Sequence, residues 1–298
     1  MIIIQSNLAG LNVGYSTAFN KAFQAATAHY KTIATEVNSS TSEQSYKWLG
    51  QFPQMKEWIG EREIQSLSAY GYTIKNKKFE MSVAVPRDDI EDDQYGVYTP
   101  LMANMGECAS LHPDSLTFKA LHDGFTNNCY DGKTFFSTVH KVNDKTFSNL
   151  STKQLSVESY EAARAAIMSI TGDKDKSLNL VPDVLVVPPA LEKTAKLILE
   201  ADQIDGTTNV NKGTAKVLVS TELAAYPTEW YLLCTNKYIK PIIFQKRKEI
   251  KFVSLTKDTD TNVFMADEYV YGADGRSNVG YSFWQMAYGS KGTDVAQG

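Results

Sequence analysis

Cysteine is scarce in this 298-residue chain: Cys108, Cys129 and Cys234 lie far apart, with no CxxC pair among them. An odd, sparse set excludes a disulfide framework and suggests a reducing compartment. His29, His112, His122 and His140 show no HExxH spacing, which argues against a zinc centre. An excess of positive charge is also missing. Thirty Lys and Arg stand against 34 Asp and Glu, a net charge of −4, unlike the basic balance of a general nucleic-acid binder. No apolar run approaches the roughly 20 residues that span a bilayer. The opening Met1-Ile-Ile-Ile lacks the basic start, the apolar length and the cleavage site of a secretion signal. Together these absences predict a soluble protein made in a bacterial-type cytoplasm, with no membrane partner.

What is present is an ordinary globular composition, 43% hydrophobic and 21% charged, enough for one large core or two modest ones. Candidate chemistry fails motif by motif. Gly132-Lys133-Thr134 suggests a phosphate loop, but Asn127 stands where the leading glycine is required. Asp173, Asp175 and Ser177 open like a calcium loop, yet Leu178 replaces its glycine and Val184 its bidentate acid. Asp258, Asp260 and Asn262 fail in the same way at Val263 and Tyr269. No GxSxG turn is present. The acidic run from Asp88 to Asp93 is better read as a solvated helix start than as an acid–base pair. The expectation is therefore no enzyme, no catalytic residue, no cofactor and no metal.

The chain is organised around Phe79 to Phe125. Phe79, Met81, Val83 and Val85 alternate as a strand that Pro86 stops. Val97, Leu101, Met105, Cys108 and Leu111 then recur at helical spacing, behind Thr99-Pro100 as a start signal. Pro113 is expected to end or kink this helix, with Leu116, Phe118, Leu121 and Phe125 on a second segment. Upstream, Phe19, Phe23, Ala26, Tyr30 and Ile33 form one amphipathic stripe, between an irregular "SNLAGLNVGYS" and a polar "NSSTSEQS". That stripe must dock on its own subunit or on another. Trp48, Leu49, Phe52, Met55, Trp58 and Ile59 read as core, or as a contact patch. Arg62 to Leu67 is strand-like, and "SAYG" and "KNKK" supply turn chemistry before Phe79.

Beyond residue 150, Ser156 caps a helix bearing Tyr160, Ala163, Ile167 and Ile170, and "DVLVVPP" reads as a buried strand. Pro189 starts a helix with Leu191, Ala195 and Ile198 inward. Val217 to Val219, Tyr231 to Leu233 and Ile242 to Phe244 complete an α/β unit. The closing strands are expected to turn near Ala273-Asp274-Gly275 and to return to the first domain.

The run "YTIKNKKFEMSVAVPRDDIEDDQYGVYTPL", with "HPDSL" and "CYDGKTFF" after it, resembles the major head subunits of Mu-like phages. The likeness extends from "YKWLGQFPQMKEWIGER" to "GRSNVGYSFWQMAYGS", where Arg276 occupies the penultimate strand. It implies an α+β, Hong Kong 97-type capsid fold. Residues 1–45 would form an N-terminal arm. Residues 46–150 and 244–298 would form a peripheral domain, with an extended hairpin at about 60–86 and a spine helix at about 97–123. Residues 151–243 would form the axial domain. The implied function is a virion shell of hexamers and pentamers around double-stranded DNA, with separate scaffold, portal and decoration proteins as partners. An encapsulin-like compartment of the same fold and an enzyme with an unrecognised site are the alternatives. The expected contacts between subunits are Phe19, Phe23, Tyr30, Trp48 and Trp58, together with a basic hairpin tip (Lys75, Lys77, Lys78) meeting Asp88, Asp89, Asp92 and Asp93 of a neighbour.

Overall fold

The structure is a computed structural model and describes residues 5–49, 71–92, 96–172 and 175–294. The chain opens with helix α1 (Gln5–Ala25), a single turn α2 (Tyr30–Ile33) and strands β1 (Ala34–Asn38) and β2 (Glu43–Tyr46). Strands β3 (Tyr72–Lys75) and β4 (Lys77–Pro86), the short α3 (Arg87–Glu91) and the long α4 (Thr99–Asp123) follow. A small hairpin, β5 (His140–Val142) and β6 (Lys145–Phe147), precedes β7 (Leu150–Lys153), α5 (Val157–Met168) and β8 (Val184–Val187). Then come α6 (Glu192–Leu199), the hairpin β9 (Gln203–Ile204) and β10 (Thr207–Thr208), β11 (Lys216–Val219) and β12 (Trp230–Leu233). Two long strands, β13 (Ile242–Leu255) and β14 (Glu268–Tyr281), flank α7 (Thr261–Ala266), and β15 (Ala287–Asp294) closes the described chain.

Two sheets carry the architecture. The first has the order β1-β13-β14-β4, and its β13–β14 ladder runs antiparallel from Ile242↔Tyr281 to Leu255↔Val270. Fourteen residues per strand, at about 3.3 Å each, make this ladder roughly 45 Å long. α1 and α4 pack together on it. Leu8, Tyr15 and Phe19 of α1, Met102, Met105 and Ala109 of α4, and Tyr269, Tyr271 and Ala273 of β14 share one core. The second sheet, β11-β8-β12-β15-β7, contains fully buried β8 and β12 and packs with α5 and α6 in a larger core.

Several expectations are corrected. The stretch "SNLAGLNVGYS" is helical, within α1, because burying Leu8 and Tyr15 outweighs the weak helix propensity of its glycines and asparagines. The stripe from Phe19 to Ile33 is not one helix. It breaks after Ala25 and resumes at Tyr30, where the buried Asp114 carboxylate accepts the His29 and Tyr30 amides at 2.8 and 2.6 Å. α4 runs uninterrupted through Pro113 for 25 residues, its far half anchored by Phe118 and Leu121. Its inward face carries Met102, Met105 and Ala109 and leaves Cys108 exposed, while Val97, also exposed, precedes the helix.

Ala273-Asp274-Gly275 lies inside β14, and the chain reverses instead at α7. The nearby glycines serve close approach between strands. A Cβ at Gly272 would stand 2.9 Å from the Met81 carbonyl oxygen, and one at Gly275 would stand 2.7 Å from Ile250. The chain's end also departs from expectation. β15 pairs with β12 and β7 in the five-stranded sheet, whereas Ile242 to Phe244 begin the long ladder. Where the sequence predicts local structure from caps and buried runs, the elements form as read. Ser156 makes a reciprocal capping box with Ser159, and Val184 to Val187 are all buried.

Candidate functional site

The residues expected to join subunits are dispersed. Phe19 is 1% exposed and packs on Phe252 at 5.3 Å, so the arm's stripe is spent inside its own subunit. Phe23 stacks on Phe19 at 6.0 Å, and Tyr30 packs on Phe244 at 4.9 Å. Trp48 is half-buried between Tyr46 and Phe283. Trp58 and Asp93 fall outside the described residues.

"KNKK" is not a hairpin tip. Lys75 pairs with Glu43, Lys77 with Ser277 and Lys78 with Arg276. Between them the buried Asn76 donates to Ser39 Oγ and the Thr41 carbonyl and accepts from Gln245 Nε2 at 2.8 Å. An asparagine that satisfies three partners fixes the bend against the sheet, and this overrides its turn propensity. The three lysines are nonetheless exposed. Asp88 and Asp89 lie on α3 at the opposite end of β4, with Asp92 just beyond, and Tyr98 donates its hydroxyl hydrogen to Asp89 at 2.9 Å.

The exposed apolar surface lies elsewhere, at the end of the β13–β14 ladder. Phe264 and Met265 on α7 are 81% and 74% exposed, beside half-exposed Val253 and Leu255. The loop that presents them is tied down. Asn262 Nδ2 donates to the carbonyls of Leu255 and Glu268 at 3.0 and 2.7 Å, and Asp260 accepts the Lys257 amide at 2.9 Å. The sequence signal is Phe264-Met265 set within "KDTDTNVFMADE", an apolar pair in an otherwise polar turn.

Two buried polar clusters also went unseen in sequence. His122 on α4 faces Glu229 at 3.0 Å and stacks on Tyr226, while Tyr231 donates to Glu229 at 2.5 Å. Burial and the Glu229 carboxylate push the Tyr231 phenol well up from its ordinary value. This cluster joins the long helix to the five-stranded sheet. In the second, His140 Nδ1 faces Asp131 Oδ2 at 2.6 Å and Cys129 Sγ donates to Asp131 Oδ1 at 3.2 Å. Burial opposes ionisation of Asp131, yet hydrogen bonds from His140 and the Lys133 amide hold its carboxyl below the usual range. Burial and the neighbouring Asp131 charge push the Cys129 thiol far up from its ordinary value.

A long helix thus lies on a long antiparallel ladder, beside an α/β unit, and a turn at the ladder's end exposes apolar residues. The family model described as Mu-like prophage major head subunit gpT matches residues 8–152, 146–223 and 222–297. The chain belongs to this family. It is 34% identical over 292 residues to the major capsid protein of Escherichia phage Mu, covering 98% of this chain and 76% of that protein. Among solved structures, the procapsid of bacteriophage JBD30 matches with a TM-score of 0.63 and 35% identity, covering 99% of this head subunit and 78% of that chain. The capsid of the same phage decorated with minor capsid protein trimers matches with a TM-score of 0.56 and 31% identity, covering 74% and 99%. The fold is the α+β, Hong Kong 97-type capsid fold, and the protein is a major head subunit.

Proposed function

We propose that copies of this head subunit assemble as hexamers and pentamers into an icosahedral virion shell around double-stranded DNA, in the bacterial host's cytoplasm and without enzymatic activity. The observation that supports this most is the rigid turn that exposes Phe264 and Met265 at the far end of the β13–β14 ladder. Covering a large apolar side chain contributes about 1.5–3 kcal/mol, and a symmetric shell repeats that gain at every subunit. The α1–α4 layer and the long sheet serve as the peripheral wall, and the five-stranded sheet with α5 and α6 as the axial domain. Separate scaffold, portal and decoration proteins complete the assembly. Among the described residues no helix is long and apolar enough to cross a membrane.

Exposed Lys75, Lys77 and Lys78 on one subunit and Asp88, Asp89 and Asp92 on another supply weak contacts, each about 0–1 kcal/mol and sensitive to salt. The test is sedimentation and negative-stain imaging of the purified chain across micromolar concentrations. Closed particles are expected. Phe264→Ser with Met265→Ser should leave a folded subunit that assembles poorly, and glutamate at the three lysines should weaken assembly at low salt. A wild-type chain that remains monomeric throughout refutes the reading, and full assembly by the serine variant refutes the role of the turn.

A further inference from the structure

The connection between α4 and β7 holds three metal-capable side chains that spacing alone did not reveal. Among the described residues Cys129 Sγ, a carboxylate oxygen of Asp131 and a ring nitrogen of His140 lie within 4.8 Å of one another. We propose that these three side chains bind one zinc ion, which fastens the 124–149 connection against Trp284. Sulfur, nitrogen and oxygen donors are all zinc ligands, and tetrahedral bonds of about 2.0–2.3 Å set them roughly 3.3–3.7 Å apart, so the Cys129 sulfur moves in while the His140–Asp131 pair, at 2.6 Å, opens to admit the ion. A thiolate beside an imidazole does not suit calcium or magnesium.

The orientation of each donor supports the assignment. His140 is fully buried and its ring stacks on Trp284 at 4.1 Å, with 3° between the planes. Its Nε2 donates to the Phe135 carbonyl at 3.2 Å, which leaves Nδ1 directed at the cluster. A metal-bound imidazole commonly carries such a carbonyl partner on its other nitrogen. Cys129 and Asp131 sit on one tight turn. Gly132 N–H donates to the Cys129 carbonyl at 3.1 Å, and Cys129 N–H donates to the Lys133 carbonyl at 2.8 Å. Gly132 itself has φ +78°, a conformation that glycine adopts without strain. Asp131 Oδ1 accepts the Lys133 amide at 3.0 Å, so Oδ2, the oxygen facing His140, is the one that turns to the ion. The Asp131 side chain is 13% exposed, and from that side water completes four-coordination. Binding displaces the Cys129 thiol hydrogen, because the thiolate is the form that ligates a metal.

The experiment uses the full chain as unassembled subunit, stripped with a chelator and titrated first with Co2+ and then with Zn2+. One Co2+ per chain should bind with thiolate-to-cobalt charge-transfer absorption and be displaced by one equivalent of Zn2+. Zinc at a hundredfold excess over its Kd should raise the melting temperature by about 5–10 °C. Cys129→Ser should abolish the charge-transfer band, and His140→Gln should weaken binding, while Cys108→Ser and Cys234→Ser keep it. A second measurement needs no variant: zinc X-ray absorption of the loaded subunit should show one sulfur at about 2.3 Å and nitrogen or oxygen ligands at about 2.0–2.2 Å. Absence of the band, its persistence in Cys129→Ser, or a zinc shell without sulfur overturns the proposal.

Discussion

Replacing Gly106 by alanine tests the contact between α1 and α4 at its closest point. A Cβ built on Gly106 lies 2.2 Å from the Phe19 carbonyl oxygen, 3.0 Å from its carbonyl carbon and 3.1 Å from its Cα. All three atoms are backbone, so no side chain can swing aside, and α1 must move by about 1 Å. Phe19 would then lose packing against Phe252 and the core formed by Met102 and Met105. Alanine is intrinsically the better helix residue by about 0.8–1 kcal/mol. Overpacking of a filled core costs about 1–3 kcal/mol, and here the backbone gives little, so the upper half applies and the clash wins. The expected net loss is about 1–2 kcal/mol, read from urea unfolding of the unassembled subunit. Gly14→Ala is the internal control, since its Cβ meets nothing within 4 Å on the exposed side of α1. That change should stabilise by about 0.5–1 kcal/mol. If Gly106→Ala is as stabilising as Gly14→Ala, the two helices do not touch at Phe19 and the arm does not dock on its own subunit.

Two further outcomes follow from buried polar groups. Asp114→Ala strips the carboxylate from the His29 and Tyr30 amides and should destabilise by about 1–3 kcal/mol in the same urea assay. A loss below about 0.5 kcal/mol, the range of an ordinary surface change, would show that the bend after Ala25 needs no cap. Burial alone would raise Glu36, but hydrogen bonds from Lys246 and Tyr30, with the charge of Lys31, bring its carboxyl below the ordinary value. A lowered folded pKa means the contribution is present above the unfolded value of about 4.3 and is lost as pH falls from there through the lower folded value. Glu36→Gln should therefore cost about 1 kcal/mol at pH 7, discounted for partial exposure, and little at pH 3. Equal costs at both pH values would refute the linkage.

Features carried by local chemistry were legible in the residues: the Ser156 cap, the four-residue buried strand at Val184, and the order of segments that marks the family. What escaped depends on partners distant in sequence. Asn76 belongs to a turn-like tetrapeptide, but Gln245, 169 residues away, holds it in a sheet. Gly272 and Gly275 carry the composition of a turn, yet they accommodate Met81 and Ile250 from the strands on either side. Pro113 ought to interrupt α4, and the apolar anchors on both sides of it keep the helix whole. The subunit's own core consumes the aromatic stripe of α1, whereas the exposed Phe264 and Met265 occupy a short polar turn with no periodic signature. Cys129 and His140 are 11 residues apart and converge only because the connecting loop folds back on Trp284.

The position of β15 has a consequence for how the particle is made. It lies between β12 and β7, antiparallel to one and parallel to the other, so the five-stranded sheet has a gap at an interior position until residues 287–294 arrive. A chain still emerging from the ribosome has synthesised every other strand of that sheet and cannot join β12 to β7. Completion of the unit then coincides with completion of these residues, and the long separation of β7 from β15 makes that step slow. A chain lacking residues 287–294 would leave β7 detached from β12, with unpaired backbone groups along both strands in place of a continuous sheet.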